Sequence, residues 1–288
     1  MQTFLPYPDV AASARVLDQA RLGKQRVETL QVLRALVIPD YGWRQHPAVR
    51  MWMGYVPALT VYGLAMVAEW VSRGHADSTH RQILEFAPDV LDQPDVPMPP
   101  WFGDPALHVS HQSNLVQKAP EIYRGRFPGI PGDLPYVWPA PERERMPVEP
   151  TGRRLWIWRA DRLPGAPPAA TDDPDDVVLL MPPVPPGGHA APKWERQLHA
   201  FEESVEEGDP VAIPDPDGRR LRTGRMGKVF MHEDGLVRPA RLDGRLERSD
   251  VHPPALLQDP RTLFGVGLPD ALHARSRDGG PGRRLRRR

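Results

Sequence analysis

LDQARLGKQRVETLQVLRAL, residues Leu17 to Leu36, decides how the first half of the chain is read. Leu22, Leu30, Leu33 and Leu36 recur at helical spacing, while Arg21, Lys24, Glu28 and Gln31 fall three and four residues apart on another face. The stretch predicts one amphipathic helix, capped by Asp18 or begun a turn earlier at Ser13. Its polar face sets two cations beside one carboxylate, close to the start of the chain. Taken as a solvated face, it is an ordinary Lys24–Glu28 pair worth a few tenths of a kcal/mol.

Outward from that helix, residues 1–16 are short and apolar, with Pro6 and Pro8 imposing an extended entry. Pro39, Asp40 and Gly42 end the helix region. The segment YGWRQHPAVRMWMGY (Tyr41 to Tyr55) then interleaves aromatic rings with Arg44, His46 and Arg50. Such a mixture can stack on bases through Trp43 and Trp52 while its cations hold phosphates. It can equally fill gaps between helices with Trp43, Trp52 and Tyr55. Pro57 opens an apolar helix that runs to Gly74, predicted to be the central buried one. Residues 75–107 read as a long loop around Trp101, followed by a helix near Pro105–Lys118. His108 and His111 are spaced for one helix face, but without a third ligand they read as hydrogen-bonding groups rather than a metal site.

PAPERERMPVEPTG, residues 139–152, is proline-rich and charged, as an interdomain linker is. Beyond it, RLWIWRA, DVVLLMPP, DPVAIP, GKVFM and LVRPARL predict short strands bounded by Gly, Pro and Asp. Trp194 to Asp209 predicts an amphipathic helix with Gly208 as its C-cap. RRLRTGRMGK (Arg219 to Lys228) reads as a phosphate-binding loop or a solvated hairpin. The tail GRRLRRR reads as disordered, adding sequence-blind, salt-dependent DNA affinity if it acts.

The chain has 288 residues, enough for one large or two ordinary domains, and 37 Lys and Arg balance 37 Asp and Glu. No global basic field announces nucleic acid. The first 60 residues are locally basic, with Arg15, Arg21, Lys24, Arg26, Arg34, Arg44 and Arg50 against Asp9, Asp18, Glu28 and Asp40. The chain holds no cysteine, which excludes disulfides, thiolate metal sites and iron–sulfur clusters and suits a reducing cytosol. MQTFLPYPDV lacks signal-peptide character, and the most apolar stretch is too short to span a bilayer. A soluble, cytoplasmic protein without a membrane association is expected.

The register of Leu22, Glu28 and Val32 resembles the first helix of the pyrimidine-dimer DNA glycosylase (endonuclease V-like) superfamily. HVSHQSNLVQKAPEIYRGRF, His108 to Phe127, is similar to the C-terminal region of that family. The resemblance implies an all-α domain over residues 1–138 acting on damaged or modified bases in double-stranded DNA. It implies an amine nucleophile that forms a Schiff base with C1′ of the sugar and permits strand cleavage by β-elimination, without metal or organic cofactor. That nucleophile is the α-amine of Met1, because a side chain as large as Gln2 leaves the initiator in place. Glu28 is the implied general acid/base, and Lys24 the alternative Schiff-base carrier. An unperturbed α-amine titrates near about 7.7–8.0, leaving a usable neutral fraction. Phosphate contacts fall to Arg21, Lys24, Arg26, Arg44, His46 and Arg50, and base contacts to Trp43 and Trp52.

Residues 153–267 resemble the PUA/EVE-like module of Mrr-type restriction proteins, a small α+β barrel. The resemblance rests on Trp156 to Arg159, Trp194 with Phe201, Gly208 to Pro214 and Arg261–Leu263. Such modules commonly bind a flipped or modified base. The expected organisation is thus a helical domain (1–138), a linker (139–152), a barrel (153–267) and a basic tail (268–288). Two other functions fit the same residues. One is a non-catalytic DNA-binding or modified-base-sensing protein that kept the glycosylase fold. The other is a scaffold whose aromatic surfaces meet a protein partner.

Overall fold

A computed structural model describes residues 1–142, 152–163, 175–184 and 191–272. The chain divides into two compact units, Met1–Val148 and Glu149–Arg288. Most of the predicted linker and tail lie outside the described residues.

The first unit is helical. α1 (Val10–Val16) starts on an Asp9 cap, and α2 (Gln19–Val37) starts on Asp18, whose Oδ1 accepts from Arg21 N at 3.1 Å. Ser13 therefore does not begin α2; its hydroxyl is taken up by the backbone of Tyr7. α3 (Pro47–Arg50) and α4 (Val56–Ser72) follow, then α5 (His80–Leu84) and a 3₁₀ turn at Pro88–Leu91. The expected loop over 75–107 thus holds helical turns, with Trp101 buried at its end and its indole N–H donating to Met51 O at 3.1 Å. α6 (Pro105–Lys118) has Asp104 as cap and proline in its first turn; α7 (Pro120–Tyr123) closes the set.

α2 buries Leu22, Val32, Leu33 and Leu36, as its leucine spacing demands. Less expected is that Gln25, Glu28 and Thr29 are buried on the same helix. α4 approaches α2 closely at Gly63, where an added Cβ would lie 2.9 Å from Thr29 Cγ2 and 3.0 Å from Ile83 Cγ2. Glycine there fixes the depth at which α2, and with it Glu28, sits in the unit.

The second unit is a mixed seven-stranded sheet with order β2-β6-β4-β3-β1-β7 and β5 paired to β6. Its strands are β1 (Arg154–Trp158), β2 (Asp176–Met181), β3 (Pro210–Pro214), β4 (Arg220–Met226), β5 (Phe230–His232), β6 (Gly235–Glu247) and β7 (Leu263–Gly267). β1 and β3 are parallel; the other pairs are antiparallel. No ladder joins β2 to β7 among the described residues, so the expected barrel is seen as an open path of strands. The Arg219–Lys228 segment is chiefly β4, an interior strand; Leu221, Thr223 and Met226 are buried, the alternation shifting at a bulge between Thr223 and Gly224.

Alternation along β1 feeds two cores. Trp156 and Trp158 pack with Trp194, Phe201 and Val211 on one face, and Leu155 and Ile157 with Leu221, Leu257 and Phe264 on the other. α8 (Ala191–His199) lies on the first face and runs into a π-helical turn (Ala200–Ser204). Val205, not Gly208, is its C-cap; Gly208 sits beyond, donating to Met226 O. Arg238, only 2% exposed, terminates this helix by donating to the carbonyls of Phe201, Glu202, Val205 and Gly227.

Candidate functional site

Residues 1–6 form neither helix nor strand, yet they are buried almost throughout. Their backbone polar groups must find partners elsewhere, and side chains of α2, α4 and α6 supply them, joined by Trp52 from the turn after α3. Gln25 Oε1 accepts from Phe4 N at 2.9 Å, and Gln25 Nε2 donates to Gln2 O at 3.0 Å. The Tyr62 hydroxyl donates to Gln25 Oε1 at 2.6 Å and sits 2.9 Å from Phe4 O. His111 Nδ1 accepts from Leu5 N, and His108 Nδ1 donates to Leu5 O, both at 2.8 Å. Gln112 donates to Pro6 O, and Trp52 Nε1 to Thr3 Oγ1.

These bonds fix both histidine tautomers. His108 Nε2 accepts from Gly103 N, so its proton is on Nδ1; His111 carries its proton on Nε2. Burial, with the neighbouring His108 adding, lowers His111 to about 3 and keeps it neutral. The pair spaced i, i+3 is a clamp on one residue of the N-terminal strap.

The strap delivers the amine of Met1 to within 3.6 Å of Glu28 Oε1. The Met1 side chain is 3% exposed although the residue as a whole is partly accessible, so the exposure lies on its backbone end. Lys24 Nζ reaches the same oxygen at 3.6 Å from a largely exposed position. The other carboxylate oxygen, Oε2, accepts from Gln25 Nε2 at 3.0 Å. One α2 face, at Arg21, Lys24, Gln25 and Glu28, thus forms the floor of a cleft of about 540 Å³.

The walls come from distant segments: Met1, Gln2 and Phe4 of the strap, His46, Lys118, Tyr136 and Trp138. His46 Nδ1 caps α3 by accepting from Ala48 N at 3.1 Å, which leaves its proton on Nε2. Burial first, and the N-terminal charge second, hold His46 below the usual histidine range against the pull of Glu28. Its ring meets Trp43 edge-on at 5.9 Å and Trp138 at 6.0 Å, and Trp138 lies 5.1 Å from Tyr136. Burial raises the Tyr136 hydroxyl, with the Gln2 side chain opposing and the Glu28 charge adding, so it stays protonated. Trp43 is 65% exposed on left-handed backbone, φ 69°, an uncommon position for so large a residue.

The expected residues divide accordingly. Met1, Arg21, Lys24, Glu28 and His46 come together at the cleft, and Trp43 stands beside it. Arg21 is tethered rather than free: it donates to Asp18 Oδ2 at 2.6 Å and to Lys118 O at 2.9 Å. Arg26 leaves the cleft altogether, pairing with Asp77 and lying 4.2 Å over the Trp70 ring, because its position on α2 faces α4. Trp52 is fully buried and hydrogen-bonded to Thr3, so it holds the strap and offers no face to a base. Arg44 is half-buried and Arg50 exposed, and neither lines the cleft. Gln25, Tyr62, Tyr136, Trp138 and Lys118 join the site without having been singled out.

Residues 1–82 match a family model described as pyrimidine dimer DNA glycosylase. No curated protein and no solved structure matches the chain. The matched span includes Met1, Gln25, Glu28, His46 and Tyr62. The similarity is to a DNA-glycosylase family over that span alone. Among the described residues, no helix is long and apolar enough to cross a membrane.

Proposed function

We propose that the protein excises damaged or modified bases from duplex DNA, with Met1 as nucleophile and Glu28 as general acid/base, and that the bound sugar can then undergo lyase cleavage. The observation that carries this reading is the α-amine standing 3.6 Å from a buried carboxylate at the floor of an aromatic-walled cleft. In the proposed reaction the neutral amine attacks C1′. The C1′–N bond breaks with its electron pair leaving on the base, which takes a proton from solvent, and the amine nitrogen sheds a proton to Glu28. Glu28 then returns that proton to O4′ as the sugar ring opens to the Schiff base. Glu28, a carboxylate again, takes a 2′ proton as the 3′ phosphate leaves, and water hydrolyses the imine.

The target nucleotide or its partner must leave the stack to reach the cleft. Trp43, His46, Tyr136 and Trp138 supply rings against which such a base can lie, and Arg21, Lys24 and Lys118 supply positive charge at the rim. Lys24 is the second candidate nucleophile, on the strength of its own 3.6 Å approach to Glu28. We also read the second unit as the PUA/EVE-like module, supported by the shared packing of Trp156, Trp194 and Phe201.

The test is base release and strand cleavage on ultraviolet-irradiated duplex DNA, and on duplexes carrying single modified bases. Wild type is expected to release a base and Glu28→Gln to fail. DNA binding by both proteins with no release from any duplex would instead support a non-catalytic sensor.

A further inference from the structure

A glutamine side chain has two N–H donors and two acceptor lone pairs. Gln25, 1% exposed, uses all four: Nε2 donates to Gln2 O and Glu28 Oε2, while Oε1 accepts from Phe4 N and the Tyr62 hydroxyl. The pattern permits one orientation of the amide. Turned over, Oε1 would face two acceptors and Nε2 would face the Phe4 N–H. Tyr62 is wholly buried and does not line the cleft, so it holds the amide from within the unit.

We propose that Gln25 is a positioning residue of this site: its amide ties the strap to Glu28, so that Met1 can present its amine only to Glu28 Oε1. The inference rests on the amine–carboxylate reading above. It goes further by assigning the origin of the geometry to a residue that acts through Glu28 and the strap. Three features separate this role from mere core satisfaction. One of the four bonds goes to the carboxylate itself, so the amide takes up Oε2, and the amine meets Oε1, the oxygen that Lys24 also approaches. A neutral amide does this without adding charge, whereas a carboxylate at this position would compete for the amine and repel Glu28. The same side chain also holds backbone groups of residues 2 and 4, on either side of the residue anchored by Trp52.

The experiment uses the full chain with its native N-terminus and needs no DNA for its first readout. Trace acylation of the α-amine, followed by N-terminal peptide mass across a pH series, is compared for wild type, Gln25→Glu and Tyr62→Phe. In Gln25→Glu the added carboxylate is expected to move the acylation midpoint up by about one pH unit. In Tyr62→Phe, nearly unchanged in volume, the rate at fixed pH is expected to rise about threefold as the Met1–Glu28 contact loosens, the size one neutral hydrogen bond carries. A second readout, borohydride trapping on abasic duplex, is expected to slow in Tyr62→Phe at saturating DNA with Kd unchanged.

Acylation profiles in both variants that superimpose on wild type would overturn the role of Gln25. If Gln25→Glu does not fold, Tyr62→Phe decides alone, an unchanged acylation rate overturning the role. Shifted acylation with no trapped adduct in wild type would keep the role of Gln25 and remove the lyase reading, so the two failures are distinguishable.

Discussion

The two units bury polar groups in different ways. In the sheet unit they are consumed within the scaffold: Arg238 saturates four carbonyls, and Asp259 holds Arg261 at 2.7 Å and the backbone N–H of Arg261 at 2.9 Å. In the helical unit Gln25, His108, His111 and Tyr62 are equally enclosed, but their bonds converge on six residues of irregular chain and end at a carboxylate bordering a cleft. Saturated burial stabilises a fold. Burial that leaves an amine and a carboxylate oxygen facing a cavity prepares chemistry, because those charges are fixed before any ligand arrives. On the proposed reading, the contrast between Arg238 and Glu28 separates scaffold from site.

The sharpest way to break the comparison is Glu28→Gln. The change is isosteric, and it is expected to lower base release by about 10²–10⁴-fold, the range for a positioned acid/base, with the thermal midpoint nearly unchanged. Release rates beside a melting curve check both halves. Arg238→Met is the converse. It strands buried carbonyls and is expected to destabilise the sheet unit by about 3 kcal/mol while leaving base release intact, read by denaturant unfolding of the full chain.

Acid sharpens the comparison further. His111 is depressed by burial, so the unfolded chain takes up a proton below pH 6.5 that the folded unit refuses until about 3. Between those values stability falls as pH falls, by up to about 1.4 kcal/mol per unit for this one group. The helical unit should therefore loosen first on acidification, and His111→Gln should flatten the slope in a pH series of melting curves. Asp18 acts at lower pH. Burial raises it, but hydrogen bonds from Tyr123 and Arg21 outweigh burial and hold it below 3.8, so its contribution is present above that value and lost beneath it.

Gly63→Ala is expected to cost about 1–3 kcal/mol by forcing α4 off Thr29, and to impair catalysis because Glu28 moves with α2. The smallest effect belongs to Arg50→Ala. Exposed and outside the cleft, Arg50 is expected to alter only the salt dependence of DNA binding, by a slope of about one if it meets a phosphate.

What was legible in the sequence was local. The Asp18 cap, the leucine stripe of α2 and the bounds of α6 follow from short-range chemistry, and α2 and α6 form where that chemistry places them. The Lys24–Glu28 pair was visible as an i, i+4 spacing, but not the fact that Glu28 is 8% exposed. Burial of Glu28 depends on a strap and on α4 and α6, which spacing within one helix cannot report. Gln25 read as one more polar letter, yet its partners lie 21, 23 and 37 residues away. Trp43 and Trp52 looked alike in sequence, and tertiary packing alone exposes one and buries the other. Arg26 was drawn to the site by proximity in sequence, although a helix turns it toward Asp77 and Trp70. Arg219 to Lys228 reads as a loop or solvated hairpin rather than an interior strand because its arginines, and a bulge at Thr223/Gly224, break the period of two.

The central claim is that Met1 carries the nucleophile, and borohydride trapping on abasic duplex DNA tests it most directly. The protein would keep its native N-terminus, with parallel samples bearing one added residue before Met1 or Lys24→Arg, and the adduct would be located by peptide mass. An adduct on the Met1 amine that disappears with the added residue and survives Lys24→Arg is the predicted result. An adduct on Lys24, or none on a protein that binds the duplex tightly, would contradict it.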